Sequence, residues 1–371
     1  MVASRRHILT AAGAAVSAGV AFAAMGHSRS SVARARPRSR AQLWRDWVAR
    51  FMVEDGRVLD TGNKNISHSE GQGTAMMGAV WADDRPAFDR ALAWANTNLF
   101  DPSNGLYAWR YDPASTPPIN DPNNATDGDL MIAWALRQGG LQWDDAELSA
   151  QANALAGAIF DQLSRPLGDD LVLLPGRLGF ERDGQVILNL SYAIFPAFDN
   201  LAQATPSRDW LAVRRGYARL MSVAQFGRFD LPPDWLAIND PDRLEEVDAL
   251  SLPADWPPRF SYDAIRVPLY LVWGGYGADY LAPFVRFWQP FYGAEIMPPW
   301  ADLNLDTVPV EDALPGFYSV RRLTAEAYAA AQPPGRVAKL PPEPGVANDE
   351  DYYSASLTLL SAMAADRWGV V

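Results

Sequence analysis

The sequence predicts an all-α fold in which helical hairpins form a ring, an (α/α) toroid, with a small β-hairpin insertion. Three observations lead to this prediction. After residue 41 the 371-residue chain holds many amphipathic stretches of about ten to twenty residues, strand-like segments are scarce, and no linker interrupts the chain. The sequence shows no clear internal repeat, so the toroid is inferred from the number of helices.

Each element is predicted from the spacing of apolar residues along the chain. The predicted helices cover 41–52, 71–99 with a break near 83–86, 129–141, 145–163, 192–204, 208–224, 280–288 and 352–368. Two short segments, 171–174 and 186–188, have strand character and are predicted to pair as a hairpin around the glycine-rich stretch 176–184. Long Pro- and Gly-rich connections, such as 112–124 and 231–258, are expected to line a cleft at one end of the ring.

Residues 1–40 differ from the rest of the chain in composition. They contain seven arginines and no acidic residue, and the pair Arg5-Arg6 precedes an Ala- and Gly-rich apolar run that ends near Met25. This arrangement predicts a twin-arginine-type signal peptide and an Arg/Ser-rich linker, with export to the periplasm or the cell exterior. A transmembrane anchor is the alternative, but the run is short and poor in Leu, Ile and Phe. Residues 41–371 are predicted to form a single domain.

The composition excludes several classes of function. The formal charge of −12, which becomes −19 without the first 40 residues, argues against a nucleic-acid-binding surface. The chain has no cysteine, so disulfides, thiol nucleophiles and cysteine-ligated metals are excluded. Of the three histidines only His68 lies outside the leader, which excludes multi-histidine metal sites. The chemistry that remains is that of carboxylates.

The first carboxylate-centred segment reads Asn-Ile-Ser-His-Ser-Glu-Gly-Gln-Gly at 65–73, directly before an apolar helix. The glycines near Glu70 predict a place where the backbone approaches a ligand closely. The alternative is a helix N-cap, in which Ser67 or Ser69 accepts backbone N–H bonds and Glu70 complements the helix dipole. Taken alone, the segment favours the cap.

The second segment reads Ala-Thr-Asp-Gly-Asp at 125–129 and begins another apolar helix. Thr126 or Asp127 is predicted to cap this helix, which leaves a second acid near its positive end. A calcium loop is one alternative, although the glycine and the spacing of an EF-hand are missing. A magnesium site for a diphosphate is the other, although no second acidic motif or basic cluster accompanies it.

The third segment reads Phe-Ser-Tyr-Asp-Ala-Ile-Arg-Val at 260–267. Asp263 and Arg266 are three residues apart, so they lie on one face if a helix begins here. The alternative is a surface ion pair, which contributes little to stability.

Together, the three segments resemble the motifs of glycoside hydrolase family 8, in the same order along the chain. The stretch 125–136, followed by Trp143, is close to that family's signature, 69–73 resembles its acid motif, and 262–266 resembles its base motif. The resemblance extends over about residues 42–368.

Within the family, the sequence is most similar to the periplasmic endoglucanases that accompany bacterial cellulose synthases. Those enzymes share a segment like Asn-Leu-Ser-Tyr at 189–192 and a Tyr-Tyr pair like that at 352–353. The chain departs from the family pattern at Thr74, Arg137 and Gly139, which puts detail around one subsite in doubt and leaves the carboxylates in place.

The resemblance implies an (α/α)6 barrel that hydrolyses β-1,4-glucans with inversion and needs no metal or cofactor. It implies that Glu70 is the general acid and Asp263 the general base. Asp127 is implied to hold the distorted sugar in the central subsite, with Tyr192 and Arg266 beside the attacking water and its base. Such catalysis requires two carboxyl groups about 6.5–9.5 Å apart, one protonated and one ionised, with a water between them.

A polymer groove also requires exposed aromatic rings, because sugar rings present flat C–H faces. Trp109 is the preferred stacking platform, with Tyr107, Tyr192 and Tyr262 as further substrate-binding candidates. The alternative for each ring is a place in the core, where most of the 14 Trp and 13 Tyr residues must lie. His68 is expected either to tune Glu70 and bind sugar or to have a structural role.

These observations predict an inverting endo-β-1,4-glucanase, a cellulase, whose partner is a β-1,4-glucan polymer. A chitosanase or xylanase on the same scaffold is one alternative, because an acidic body suits a cationic polymer. A glucan-binding accessory of a cellulose synthesis or export complex, with little turnover, is the other. We expect a monomer without a nucleic-acid partner, and we consider association with a bacterial cellulose-synthase system.

Overall fold

The computed structural model describes residues 39–182, 184–332 and 350–368. The predicted signal peptide and nearly all of its linker lie outside these residues. Within the described part of the chain, no helix is long and apolar enough to cross a membrane.

Eleven α-helices make up about half of the described residues. They are α1 (Arg40–Phe51), α2 (Ser69–Ala82), α3 (Arg85–Asn98), α4 (Thr126–Gln142), α5 (Ala146–Leu163), α6 (Phe195–Ala204), α7 (Trp210–Val223), α8 (Arg266–Trp273), α9 (Ala278–Trp288), α10 (Pro315–Ala330) and α11 (Tyr352–Trp368). Helix α1 shows the apolar spacing from which it is predicted. Its residues Trp44, Trp47 and Phe51 recur on one face of the helix and are buried.

The helices that lie deepest in the molecule contact one another in a closed ring. Helix α2 packs on α4, α4 on α6, α6 on α8, and α11 on both α8 and α2, with α10 beside α8 and α11. Trp134 of α4 meets Trp273 of α8 in an edge-to-face contact with ring centroids 4.9 Å apart. The predicted all-α toroid is therefore confirmed.

The spacing of apolar residues does not predict α8 or α10. All eight residues of α8 are buried, so the helix has no polar face to produce a helical period. Helix α10 begins with a proline and a glycine and buries Arg321 and Thr324 among its apolar residues, which obscures the period. Periodicity is informative for amphipathic helices and gives no signal for α8.

The strands are short and form small antiparallel sheets. They are β1 (Ser67–His68), β2 (Phe100–Asp101), β3 (Leu106–Tyr107), β4 (Arg110–Tyr111), β5 (Ser164–Leu167), β6 (Asp170–Leu173), β7 (Glu181–Arg182), β8 (Gln185–Leu188), β9 (Leu236–Ile238), β10 (Leu250–Ser251), β11 (Arg259–Phe260) and β12 (Ala301–Asp302). The largest sheet has the order β10-β9-β8-β7.

The predicted hairpin pairs the wrong strands. Strand β6 pairs with β5 through a two-residue turn in which Gly168 has a positive φ of 59°, whereas β8 pairs with β7 and β9. A glycine in this conformation is the local signal for the tight turn. The prediction places both strands correctly and misses this turn.

Candidate active site

Glu70 lies in the first turn of α2, where its negative charge complements the helix dipole. The N-cap is His68, whose Nδ1 accepts the backbone N–H of Gly71 at 3.1 Å. The expectation that Ser67 or Ser69 caps this helix is wrong. Ser67 donates its hydroxyl to a backbone carbonyl of the preceding loop, and Ser69 is already the first helical residue.

The glycines around the carboxylates allow two helices to cross closely. A Cβ on Gly73 of α2 would lie 2.6 Å from a methionine Cβ on α4. A Cβ on Gly128 of α4 would lie 2.1 Å from Ser69 Oγ and 2.7 Å from the backbone nitrogen of Glu70. Because side chains do not tolerate such distances, the crossing requires glycine at both positions. The expectation that the glycines near Glu70 let the backbone approach a ligand is therefore not supported at Gly73.

Asp127 is the second residue of α4 and is buried. Neither predicted residue caps this helix, because Ala125 occupies the N-cap position without a side-chain bond. Thr126 donates its hydroxyl to the carbonyl of Leu174 at 2.5 Å, and Asp127 Oδ1 accepts the N–H of Gly128 at 2.9 Å. The start of α4 thus depends on bonds to a neighbouring strand end and within its own first turn.

Asp129 turns away from Asp127 and is held inside the protein. Its two oxygens accept the backbone N–H of Tyr107 at 2.9 Å and the side-chain amide of Asn124 at 2.8 Å. Burial raises the pKa of Asp129 to about 8, although these hydrogen bonds oppose the rise. Among the described residues no group of three or more His, Asp or Glu is arranged to hold a metal ion. The calcium and magnesium alternatives for this segment thus gain no support from the geometry.

The third segment forms a turn that leads into α8. The N–H of Ile265 donates to the carbonyl of Ser261 at 2.9 Å, and that of Arg266 donates to the carbonyl of Asp263 at 3.1 Å. Arg266 is the first residue of α8, and its Nη2 donates to Asp263 Oδ1 at 3.0 Å. Because Arg266 is buried, the alternative of a surface ion pair is wrong.

One guanidinium group brings the three segments together. Besides Asp263, Arg266 faces Glu70, with Nη1 to Oε1 at 3.7 Å, and Asp127, with Nη2 to Oδ2 at 3.6 Å. Its Nη2 also donates to Ser191 Oγ at 2.9 Å. Three carboxylates that lie up to 193 positions apart in the sequence therefore converge on a single buried cation.

The carboxylates determine the charge state of this cation. Burial by itself lowers the pKa of Arg266, but the negative charges of Glu70, Asp263 and Asp127 outweigh burial and raise it well above the ordinary value. Arg266 therefore remains a permanent positive charge at the centre of the site.

Two of the three carboxylates in this cluster, Glu70 and Asp263, are accessible to solvent. The side chains of Glu70 and Asp263 are 28% and 23% exposed, whereas those of Asp127 and Arg266 are each 6% exposed. Glu70 Oε1 and Asp263 Oδ1 contact neighbouring nitrogens of one guanidinium, at 3.7 and 3.0 Å, so the two carboxyl groups lie close to each other. Two accessible carboxyl groups can thus reach a ligand from above a buried Asp–Arg pair.

The comparison with protein families agrees with this arrangement. The family model "Glycosyl hydrolases family 8" matches residues 13–367. The chain belongs to glycoside hydrolase family 8. It is therefore a glycoside hydrolase, as the sequence motifs predict.

Relatives and solved structures of this family 8 enzyme extend over nearly its whole length. A probable endoglucanase from Novacetimonas hansenii is 40% identical over 92% of this chain and 97% of its own. A family 8 endoglucanase from Klebsiella pneumoniae is 37% identical, with a TM-score of 0.79 over 88% of this chain and 99% of that one. An endo-β-1,4-glucanase from Acetobacter xylinum is 39% identical, with a TM-score of 0.76 over 88% and 98%. These structures share the fold, and the predicted fold class is confirmed.

The predicted stacking platforms of the family 8 enzyme are largely buried. Trp109 is only 9% exposed, and its Nε1 donates to Asp121 at 2.9 Å. Tyr107 is 4% exposed, belongs to the main core and donates its hydroxyl to Asn96 at 2.6 Å. Tyr107 is packed in the core and offers little ring surface for stacking. Trp109 does not present an open face in this structure.

Tyr192 is fully buried in a short 3₁₀ turn directly after Ser191, whose hydroxyl contacts Arg266. Tyr192 therefore offers no face for stacking, and the residue of this segment that contacts Arg266 is Ser191. Tyr262 differs, because its ring is partly exposed and packs against Tyr353 with centroids 5.7 Å apart. Of the four aromatic candidates, Tyr262 is the one with ring surface open to solvent next to Asp263.

Two residues of the site are absent from the sequence-based predictions. Tyr353 is partly exposed, donates its hydroxyl to the carbonyl of Tyr262 and lies within the field of Arg266. Asp234 is a buried acid that binds the turn bearing Asp263. The Tyr-Tyr pair at 352–353 is a signal for the first, whereas no local spacing points to the second.

His68 has a structural role at the start of α2. Its Nε2 lies 3.5 Å from Asp60 Oδ2, and its ring meets Tyr352 edge-on at 5.4 Å. Burial lowers the pKa of His68, but the hydrogen bond and charge of Asp60, with Glu70 and Asp127, raise it overall. The contacts join the helix cap to the last helix of the ring.

Proposed function

We propose that this family 8 enzyme is an inverting endo-β-1,4-glucanase. The observation that carries the proposal is that Glu70 and Asp263, both partly exposed and on different segments of the chain, face one buried guanidinium. Membership of family 8 supports inversion as the stereochemistry. Relatives named endoglucanases, 40% identical over most of the chain, support glucan as the substrate class.

In the proposed reaction Glu70 is the general acid and Asp263 the general base. Glu70 donates its proton to the glycosidic oxygen as the bond from that oxygen to the anomeric carbon breaks. Asp263 takes a proton from a water molecule, and the water oxygen attacks the anomeric carbon from the opposite face. A β-linked glucan therefore yields an α-configured reducing end, with both carboxyl groups restored by proton exchange.

The buried pair of Asp127 and Arg266 lies next to both carboxyl groups. Arg266 donates a hydrogen bond to Asp263, which holds that carboxylate in a fixed orientation. Glu70 Oε1 lies 3.7 Å from Nη1, beyond hydrogen-bonding distance, so Arg266 does not hold the Glu70 carboxyl group in the same way. Asp127, buried next to both, is placed to accept hydrogen bonds from the hydroxyls of a sugar held between them.

Two alternatives to a glucanase are a chitosanase or xylanase on the same scaffold and a glucan-binding accessory with little turnover, and the experiments below distinguish them. An exo-oligoxylanase from Bifidobacterium adolescentis matches only 24% of this chain, which favours glucan over xylan. A glucan-binding accessory requires no carboxylate pair around a cation, which favours an enzyme.

The proposal is tested with Glu70→Gln and Asp263→Asn, with Glu54→Gln and Asp248→Asn as exposed controls. We expect each site variant to lose at least about 10³-fold in kcat on soluble cellulose while it still binds the polymer. The controls should retain wild-type activity. Near wild-type activity of either site variant would overturn the assigned roles.

Two further measurements address substrate and stereochemistry. Reducing-end release from a panel of soluble cellulose, xylan and chitosan, with Glu70→Gln as the blank, should be largest on the glucan. Polarimetry of the freshly released product should show the α-anomer first. A β-anomer from a β-glucan would contradict inversion, and faster release from xylan or chitosan would favour that substrate.

We propose in addition that the enzyme is exported through the twin-arginine-type signal and acts on glucan in the periplasm or outside the cell. The support is the Arg5-Arg6 pair and the apolar run that follows it. Replacing both arginines by lysine should retain the protein in the cytoplasm, as cell fractionation would show. Sedimentation tests the expected monomer, and co-purification with a cellulose synthase tests that association.

A further inference from the structure

Asp234 is a buried acid that the catalytic scheme does not use. It is 4% exposed and lies between Pro233 and Trp235, just before β9, far in sequence from all three carboxylate motifs. A carboxyl group in such a place is costly unless it is hydrogen-bonded. The partners of this one are the residues around Asp263.

Its carboxylate binds both ends of the turn that carries Asp263. Oδ1 accepts the backbone N–H of Ser261 at 2.9 Å and that of Ala264 at 2.8 Å. Oδ2 accepts the hydroxyl of Ser261. Two residues before and one residue after the base, the chain is therefore tied to a single side chain.

Asp234 is itself held firmly. Its backbone N–H donates to the carbonyl of Arg259 at 2.7 Å. The next residue, Trp235, is stacked between Phe180 and Trp256, with ring centroids 5.8 and 5.0 Å away. The turn that carries Asp263 is thus bound to a residue next to an aromatic stack beside the four-stranded sheet.

We propose that Asp234 is a positioning residue for the reaction, which places Asp263 by binding the turn 261–264 at both ends. The proposal rests on the proposed role of Asp263 as the base. Misplacement of a reacting group by about 1 Å costs about 10²-fold in rate, so such an anchor affects kcat directly.

Substitutions of Asp234 can distinguish a role in positioning the turn from a role of its negative charge. Burial and the neighbouring charge of Asp263 raise the pKa of Asp234 to about 7, against the hydrogen bonds from Ser261 and Ala264. Asparagine at 234 retains an Oδ1 acceptor for both backbone N–H groups, and its amide can donate to the hydroxyl of Ser261. Alanine retains none of the three bonds.

The experiment compares Asp234→Asn, Asp234→Ala and Ser261→Ala with the exposed control Asp248→Asn, each checked for folding by circular dichroism. We expect Asp234→Ala to lose about 10²-fold in kcat, with KM changed by less than about threefold. Asp234→Asn should retain at least about a third of the wild-type kcat, since it keeps both backbone bonds. Ser261→Ala, which lacks only the bond to Oδ2, should fall between these two.

Other results would overturn the proposal. Equal loss of kcat in Asp234→Asn and Asp234→Ala would assign a role to the charge rather than to position. Wild-type kcat in Asp234→Ala, or in Ser261→Ala if the former does not fold, would show that no anchor is needed. If Asp263→Asn itself remained active, the proposed base would fail, which is a separate result from either of these.

Discussion

Gly128 of α4 packs against Ser69 of α2 so closely that a Cβ on the glycine would lie 2.1 Å from the serine Oγ. Each of these residues is next in sequence to a carboxylate of the site, Asp127 in one helix and Glu70 in the other. The helix crossing and the placement of the two acids are therefore the same structural feature.

The substitution Gly128→Ala should affect stability and catalysis together. The added methyl group must displace the backbone of Glu70, which it would approach within 2.7 Å at the nitrogen. We expect a loss of about 1–3 kcal/mol in the free energy of unfolding, as in overpacked cores, and about 10²-fold in kcat. Denaturant unfolding and glucan hydrolysis measure the two effects.

The matched control is Gly277→Ala, since a Cβ at Gly277 meets nothing within 4 Å. Because Gly277 is the N-cap of α9 and alanine is a poorer cap, the free energy of unfolding of this variant should fall by no more than about 1 kcal/mol, and its kcat should not change. If Gly128→Ala kept full activity, the crossing would not determine where Glu70 lies.

Arg266→Gln should leave three carboxylates without their cation. We expect a loss of about 3–5 kcal/mol in the free energy of unfolding at pH 7, because Asp127 remains buried beside Glu70 and Asp263. Urea unfolding at pH 7 measures this loss.

Arg286→Gln is the control for loss of an ordinary ion pair. Arg286 is 56% exposed and pairs with Asp230 on the surface, so its replacement should change the free energy of unfolding by less than about 1 kcal/mol. A deficit for Arg266→Gln no larger than that for Arg286→Gln would contradict the assignment of Arg266 as the counter-ion of the cluster.

His68→Ala and His68→Asn separate capping from the other contacts of this histidine. Alanine removes the bond from the N–H of Gly71, and we expect a loss of about 1 kcal/mol in the free energy of unfolding. Asparagine is a preferred cap and should recover most of it. If the two variants lose the same stability in thermal denaturation, the loss comes from the contacts of His68 with Asp60 and Tyr352 rather than from the cap.

The sequence predicts the toroid and the three carboxylate segments, for identifiable reasons. Amphipathic outer helices produce a clear period, and the segments that contain Glu70, Asp127 and Asp263 carry the family resemblance together. All three segments lie at the starts of helices of the inner ring, where the structure brings them to Arg266.

Other features depend on tertiary contacts that leave no local signal. The anchor Asp234 is 27 positions from Ser261, and nothing in the spacing of the chain joins them. Helix α8 has no polar face, so periodicity cannot reveal it. Burial of Tyr107 and near-burial of Trp109 are decided by packing against α4 and the surrounding loops, which the identity of an aromatic residue does not indicate.

Asp129 should make stability depend on pH with a definite sign. Its pKa in the folded protein is about 8, above the ordinary value of about 4 for the unfolded chain. Between these two pKa values the folded state binds a proton that the unfolded state has released, so the free energy of unfolding falls as the pH rises, by up to about 1.4 kcal/mol per pH unit.

Asp129→Asn loses one accepted bond, from Tyr107 or Asn124, and should be about 1–3 kcal/mol less stable than the wild type at pH 5. The gap to the wild type should narrow by pH 8 in urea unfolding, whereas the exposed control Asp144→Asn should run parallel to the wild type. A gap that widens with pH would mean that the hydrogen bonds keep Asp129 ionised against the effect of burial.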